Sequence, residues 1–386
     1  MNKLQTIFLL TSLGITSFKL FDTLYLYEIV IIYYIIYSIA RKGFKKVTGV
    51  NIKVLLIYLF YSIVISFISL LYDHRVEFLE VVFSTTRFTL YIILAIILLK
   101  EFIDNPLFIF KCLKWAVYFH LIILISTWFL HTTGFIFNDL LLISNWSNNG
   151  LIGDGVLKVF EYPIGSRYSG LFEEPSHFNL LIILFIIVKK KINDFFGTKF
   201  NYKDFLLLLI VIILTKSIGG TIVLIFIFLV FNHKKLIKII LPLNTVFLIF
   251  LFFYLDIESI IAEIPRVTDV LSGNDKSVNV RLFQNTNPIL ELTNKGYLFF
   301  GTGLGNSALL LSDFKSQILY LTLLLETGLI GFVIFMFLFL YKFFNNIKWR
   351  LIMILIGFLN GFLITPITIL LISHLLFDKK ICLSQK

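Results

Sequence analysis

Apolar residues along this chain come in long unbroken blocks. Runs such as LYIILAIILL and LLIILFIIV neither alternate nor leave a polar stripe at helical spacing. A half-buried strand has a period of two and an amphipathic helix one near 3.6, so blocks with neither period are buried all round or face lipid. Several blocks approach the roughly 20 residues that a helix needs to cross a hydrocarbon layer about 30 Å thick. The pattern predicts twelve spans, at 4–18, 24–40, 54–72, 79–99, 107–130, 178–188, 205–217, 218–231, 236–255, 317–341, 349–361 and 362–377. A membrane barrel does not fit, because its strands alternate over segments of about 10 residues. The first block follows a single lysine like a signal peptide, but no small-residue cleavage site precedes the second block, so it is kept as a span.

Composition agrees. Of 386 residues, 58% are hydrophobic and 15% charged, against roughly 25% charged in a soluble domain. There is too little polar side chain to coat a water-soluble fold. The expectation is an all-α polytopic integral membrane protein with about 12 transmembrane helices, a single membrane domain over 1–386.

The net charge is +11, which in another setting points to nucleic acid. Its placement points to topology instead. With the N-terminus inside, alternate loops hold Arg41, Lys42, Lys45, Lys46 and Lys53, then Lys189, Lys190, Lys191, Lys199 and Lys203. Lys234, Lys235 and Lys238, then Lys342, Lys348 and Arg350, and finally Lys379, Lys380 and Lys386 continue the series. Short loops on the other side add little beyond Lys19 and Arg75. The positive-inside rule thus accounts for the basic excess, and no nucleic-acid partner is expected.

The same reading sets two long segments, 131–177 and 256–316, on the outer face. Connections beyond about 12–15 residues are functional or disordered, and these keep Trp146, Phe160, Tyr162, Phe172, Phe283, Tyr297 and Phe299. In the second, Ile257, Ile260, Ile261, Ile264, Val267 and Leu271 recur at helical spacing, an amphipathic helix on the membrane surface or against the bundle. Gly273, Asn274 and Asp275 make a turn, and VNVRLFQNTNPILELT is a second short helix leading to GTGLGNS.

Candidate chemistry concentrates in RYSGLFEEPSHFN, residues 167–179, immediately before a span. Pro175 suits the first turn of the following helix, where a missing amide donor costs nothing. Glu173 and Glu174 then stand at the helix start and His177 within its first turn. A carboxylate there is favoured by the helix dipole and stays ionised, which suits a general base; capping with surface charge is the alternative. Arg281, Lys315 and Lys216, the last in TKSIGG, add basic groups at the outer lip. Arginine forks match phosphate oxygens, while each basic group alone is also an interfacial anchor. Gly301, Gly303 and Gly305 follow no strand and precede no Walker lysine, so they read as a tight turn or a close backbone approach to a ligand or neighbouring helix. Asp256 and Glu258 do not suffice for a metal site. The two cysteines, Cys112 and Cys382, and the six histidines have no metal-ligand spacing.

A long outward segment ending in Arg167, Gly170, Phe172, Glu174 and Pro175, then a later one with Arg281 and Gly301, Gly303 and Gly305, resembles the O-antigen polymerase and ligase superfamily. The span QILYLTLLLETGLIG, with Glu326, Gly328 and Gly331, strengthens the likeness, which lies in the order of features over about residues 130–335. GLFEEPSHF looks more like the repeat-unit polymerases, called Wzy. Ligases usually carry a histidine before the glutamate of the tenth span, where this chain has Ser316 and Gln317.

The resemblance implies a GT-C-like membrane glycosyltransferase in the bacterial inner membrane, with its site facing the periplasm. Donor and acceptor would be undecaprenyl-diphosphate-linked oligosaccharides, joined with inversion and without metal or other cofactor. A flippase and a chain-length regulator would be its partners. On this reading Arg167 and Arg281 stabilise the leaving diphosphate, helped by Lys216 or Lys315, and Glu174 is the base, with Glu173 and His177 as substitutes. Tyr168, with Trp146 and Tyr162, would stack on sugar rings. The rivals are a ligase acting on lipid A core and a flippase or transporter of the same lipid-linked unit. For transport, charge is expected at the bilayer midplane, where Glu28, Arg87, Lys111 and Lys114 are the residues to watch; they read as buried pairs or cytoplasmic anchors.

Overall fold

The computed structural model describes residues 3–15, 19–21, 24–42, 50–72, 76–133, 140–145, 150–152, 156–161, 166–172, 175–196, 210–211, 214–215, 286–311, 319–342, 365, 367–370 and 372. The amphipathic helix expected at 257–271 and the spans expected at 218–231, 236–255 and 349–361 lie outside them.

Helices dominate: α1 (Lys3–Ser12), α2 (Leu26–Lys42), α3 (Val50–Tyr72), α4 (Phe78–Asp104), α5 (Pro106–Thr132), α6 (Pro175–Phe196), α7 (Thr286–Asn294), α8 (Ser307–Leu310) and α9 (Leu319–Lys342). Among the described residues three segments, Phe78–Asp104, Pro106–Thr132 and Leu319–Phe337, are long and apolar enough to cross a membrane, and Leu56–Leu71 is a shorter apolar helix. Large apolar side chains are exposed along several helices, Phe60, Leu71, Trp115, Ile122 and Phe337 among them. A soluble monomer hides such surface; a lipid-facing bundle does not. The protein is therefore membrane-embedded and mainly helical.

Local chemistry sets the helix ends. Asn105 alone joins α4 to α5: its backbone N–H donates to Glu101 O at 2.8 Å, and its side chain accepts from Phe108 N at 3.1 Å, with Pro106 opening α5. One residue stops one helix and starts the next. α6 begins at Pro175, as the proline predicted, and continues through the lysines to Phe196, well past the expected end at 188. α1 is shorter than the expected 4–18. It stops at Ser12 because the chain turns there: Gly14 N donates to Thr11 O, Ile15 N to Ser12 O, and His120 Nε2 lies 2.8 Å from the Thr11 carbonyl.

Contacts give the helix directions. The Cys112 thiol donates to Lys3 O and His120 meets Thr11, so α1 and α5 run parallel. Phe110 stacks on Phe185 and His120 packs near Phe178, so α6 runs opposite to α5. Tyr58 packs on Phe88 and Phe335, which sets both α4 and α9 antiparallel to α3. One end of the bundle thereby collects Lys3, Arg41, Lys100, Lys111, Lys114 and Lys189. The other end carries a β-structure.

That β-structure refines the expectation of helices alone. A hairpin, β1 (Lys19–Phe21) and β2 (Leu24–Tyr25), joins α1 to α2. Within the expected loop 131–177 lies a four-stranded sheet of β3 (Leu141–Asn145), β4 (Gly150–Ile152), β5 (Leu157–Glu161) and β6 (Arg167–Gly170), in the order β4-β3-β5-β6. β3 and β5 pair in parallel, and the other pairings are antiparallel. Leu141, Ile143, Leu157 and Val159 are buried in period two, and β6 packs on α5 and α6.

The glycine stretch clasps α9. This helix is broken at Gly328, with φ 67° and ψ −176°. Thr302 N donates to Leu325 O and Gly303 N to Glu326 O, both at 2.9 Å, while Leu329 N and Ile330 N donate to Leu298 O and Phe299 O. The chain on either side of the break thus finds partners in the glycine loop, as non-helical backbone at membrane depth requires. The close approach expected of Gly301 and Gly303 is to a neighbouring helix.

Candidate functional site

β6 carries the first half of the expected cluster. Phe160 faces Arg167 and Val159 faces Tyr168 across the β5–β6 pairing. Arg167 is half-buried, while Tyr168, Ser169 and Gly170 are buried. Gly170 has φ 61° and lies against the backbone of Leu124 in α5, a conformation that favours glycine. Phe172 N then donates to Ser169 O at 3.1 Å, and the Phe172 ring, 1% exposed, stacks on Phe178 with centroids 5.1 Å apart and packs at a tilt against His120 at 4.8 Å. The Phe172 ring thus packs against the first turn of α6. His177 lies in that turn, buried.

The Arg167 guanidinium reaches across to another part of the chain: Nε donates to Thr215 O at 3.3 Å. Thr215 immediately precedes Lys216. Lys216 itself, with Glu173, Glu174, Arg281 and Lys315, lies outside the described residues, so of the expected site Arg167, Tyr168 and His177 are described.

A three-residue chain absent from the sequence reading includes Tyr168. His131, in the last turn of α5, has Nδ1 3.0 Å from Tyr168 Oη and Nε2 3.0 Å from Glu161 Oε1. Glu161 follows Leu157 and Val159 on the face of β5 that meets α5, which is what brings it to His131. With Glu161 ionised, His131 donates from Nε2 and its Nδ1 accepts the Tyr168 O–H. Burial raises the Tyr168 phenol above its ordinary value, a Ser166 hydrogen bond lowers it by less, and the Glu161 charge raises it again. Tyr168 therefore keeps its proton. Chemically, the chain can take a proton arriving at Tyr168 Oη by passing one to His131, where Glu161 stabilises the resulting imidazolium.

A second polar cluster is self-contained. Glu28, 3% exposed, accepts from Arg87 Nε at 2.6 Å, from Tyr91 Oη at 2.9 Å and from Tyr25 N at 3.0 Å. Arg87 also lies over the Tyr25 ring, 5.7 Å from its centroid. Glu28 and Arg87 are thus a buried pair holding α2 to α4, and Lys111 and Lys114 lie towards the lysine end. Beside them an apolar groove of about 550 Å³ opens between α1, α2 and α5, lined by Phe8, Val30, Tyr33, Tyr34 and Phe119. Among the described residues no three His, Cys, Asp or Glu side chains converge as metal ligands.

Comparison with protein-family models, with curated proteins and with solved structures gave no match for this chain.

Proposed function

We propose that this protein is a membrane glycosyltransferase that polymerises polyprenyl-diphosphate-linked oligosaccharide units. The observation that carries the reading is the setting of Arg167. It stands half-buried on a small sheet, at the end of the bundle away from the lysines, six residues before Glu173 and beside the carbonyl that precedes Lys216. A departing diphosphate develops negative charge, and a guanidinium held by a strand meets it without reorganising. Arg281, Lys315 and Lys216 complete the cation set, and Glu174 takes the proton of the attacking sugar hydroxyl, with Glu173 or His177 in reserve. The Glu161–His131–Tyr168 chain positions β6 and with it Arg167.

One further observation supports this reading. The groove between α1, α2 and α5 is apolar and open at the side, suited to a polyprenyl tail. The positive-inside rule favours a cytoplasmic lysine end, and on this reading the sheet faces the periplasm of a bacterial inner membrane. Glu28 and Arg87 satisfy one another, which removes the buried charge that a transporter of the lipid-linked unit would use.

The test is deletion of the gene in its host, followed by complementation with wild type or Arg167→Ala. Surface glycan on a gel should fall to a single repeat unit after deletion and stay there with Arg167→Ala at wild-type membrane abundance. Glycan with no repeat unit would point to ligation or flipping; long chains in the deletion strain would end the proposal.

A further inference from the structure

We propose that Glu326 and Asn306 are two ligands of a buried sodium-ion site set where α9 breaks. The residues are 5% and 1% exposed, and among the described residues neither Glu326 Oε2 nor Asn306 Oδ1 has a hydrogen-bond partner. Both belong to the same clasp. Gly305 N donates to Glu326 Oε1 at 3.2 Å, and Asn306, the next residue, donates from Nδ2 to Thr302 O at 3.3 Å. The latter bond fixes the amide orientation, because exchanging its O and N would set two acceptors against each other. What remains is a carboxylate oxygen and an amide oxygen, both hard ligands, one residue beneath the exposed Gly305.

The electrostatics favour a cation. Among the described residues no lysine, arginine or histidine pairs with Glu326, although Glu28 at the same end of the bundle has Arg87. A buried charge left alone is expensive, and a bound counter-ion removes that cost. One carboxylate matches a single positive charge, whereas calcium sites draw on several oxygen ligands of higher total charge. Space selects a small ion. A Cβ on Gly303 would lie 2.7 Å from Ser69 Oγ and 3.0 Å from Asn306 Nδ2, and one on Gly305 would lie 2.6 Å from Ser84 Oγ. A sugar ring does not fit there. The Ser69 and Ser84 hydroxyls flank the same glycines and add polar oxygens to the surroundings, Ser69 Oγ keeping lone pairs after donating to Ser66 O. Discontinuous membrane helices hold sodium at their breaks by the same physics.

This site stands independently of the glycosyl chemistry. The test uses the purified full chain in detergent, with its thermal midpoint followed in NaCl, KCl or choline chloride at one ionic strength. A saturable rise is expected with NaCl and much less with the other two. Glu326→Gln and Asn306→Ala should each raise the apparent sodium dissociation constant at least about tenfold, the effect of losing one good ligand. If Glu326→Gln does not fold, Asn306→Ala and the wild-type salt series still decide. Equal midpoints in all three salts, a response to pH or to CaCl2 without one to NaCl, or an unchanged sodium response in the variants would each overturn the proposal.

Discussion

Gly328→Ala is the substitution whose cost can be worked most directly. The backbone there has φ 67° and ψ −176°, a region that is essentially glycine-only and costs another residue about 1–3 kcal/mol. An added Cβ would overlap the Phe299 carbonyl oxygen and lie 2.5 Å from Gly301 N. Both are backbone atoms with no rotamer to escape into, so the clasp must move. The two bonds nearest the overlap are Leu329 N to Leu298 O at 2.8 Å and Ile330 N to Phe299 O at 3.2 Å, worth about 1 kcal/mol each in water and about 0.6 in a membrane protein. Strain and lost bonds together come to about 2–5 kcal/mol. Gly296→Ala is the matched control. It also has positive φ, 80°, as the second residue after α7, where Tyr297 N bonds Leu292 O and Gly296 N bonds Thr293 O, but nothing lies within 4 Å of its added Cβ. Its cost is the left-handed conformation alone, about 1–2 kcal/mol. Unfolding by SDS titration in mixed micelles should separate the two variants by about 1–3 kcal/mol. Equal losses, or a Gly328→Ala protein within about 1 kcal/mol of wild type, would refute the clasp as the reason for this glycine.

Arg87→Ala removes the only described cation at the nearly buried Glu28 and should cost about 3–5 kcal/mol, read as folded monomer surviving a heat step in detergent. Adding Glu28→Gln should recover part of that loss, and no recovery would count against the pair. Tyr168→Phe keeps the ring on β6 but deletes the donor to His131; a neutral hydrogen bond of about 1 kcal/mol predicts chain extension slowed by about fivefold at unchanged membrane abundance. Complete loss of extension would make Tyr168 a participant in the chemistry rather than a positioning residue.

How much was legible depended on the range of the interaction that fixes each element. The start of α4 and both ends of α5 were readable to within a residue or two from two apolar runs, whereas α4 continues five residues past its expected end at 99, through the charged Lys100 and Glu101, to the local stop at Asn105 and Pro106. The start of α6 was readable from a local signal, Pro175; its end was not, because Lys189, Lys190 and Lys191 stop a hydropathy window without stopping a helix. The sheet was not visible. Its strands are three to five residues long, and four alternating apolar residues spread over β3 and β5 carry little signal until the strands pair. The Glu161–His131–Tyr168 chain depends on that pairing, with partners 30 and 37 residues apart, so no spacing rule finds it. A polar residue continuing the buried face of β5 after Leu157 and Val159 was the one available hint. The glycine stretch lay between these cases: its need for a close backbone neighbour was evident, but not that the neighbour would be another glycine, Gly328, in the span that follows.

The positions of the irregular backbone carry an argument of their own. A bilayer has no water to satisfy free amides and carbonyls, so every departure from helix needs a protein partner. Among the described residues these departures gather at one end: the β1–β2 hairpin, the four-stranded sheet, the glycine clasp and the break in α9. The lysine end instead turns from α4 to α5 in one residue and keeps its helices regular. Packing alone does not demand this asymmetry, since tight turns would close the sheet end equally well and cost less backbone entropy. Ordered, hydrogen-bonded irregularity at that end is retained for what it presents. It presents a half-buried arginine on a strand, an acid–histidine–tyrosine chain beneath it, and two unpartnered oxygens under a glycine. Chemistry proposed for this protein belongs there, and a variant at the lysine end that abolished activity while leaving the fold intact would count against the whole assignment.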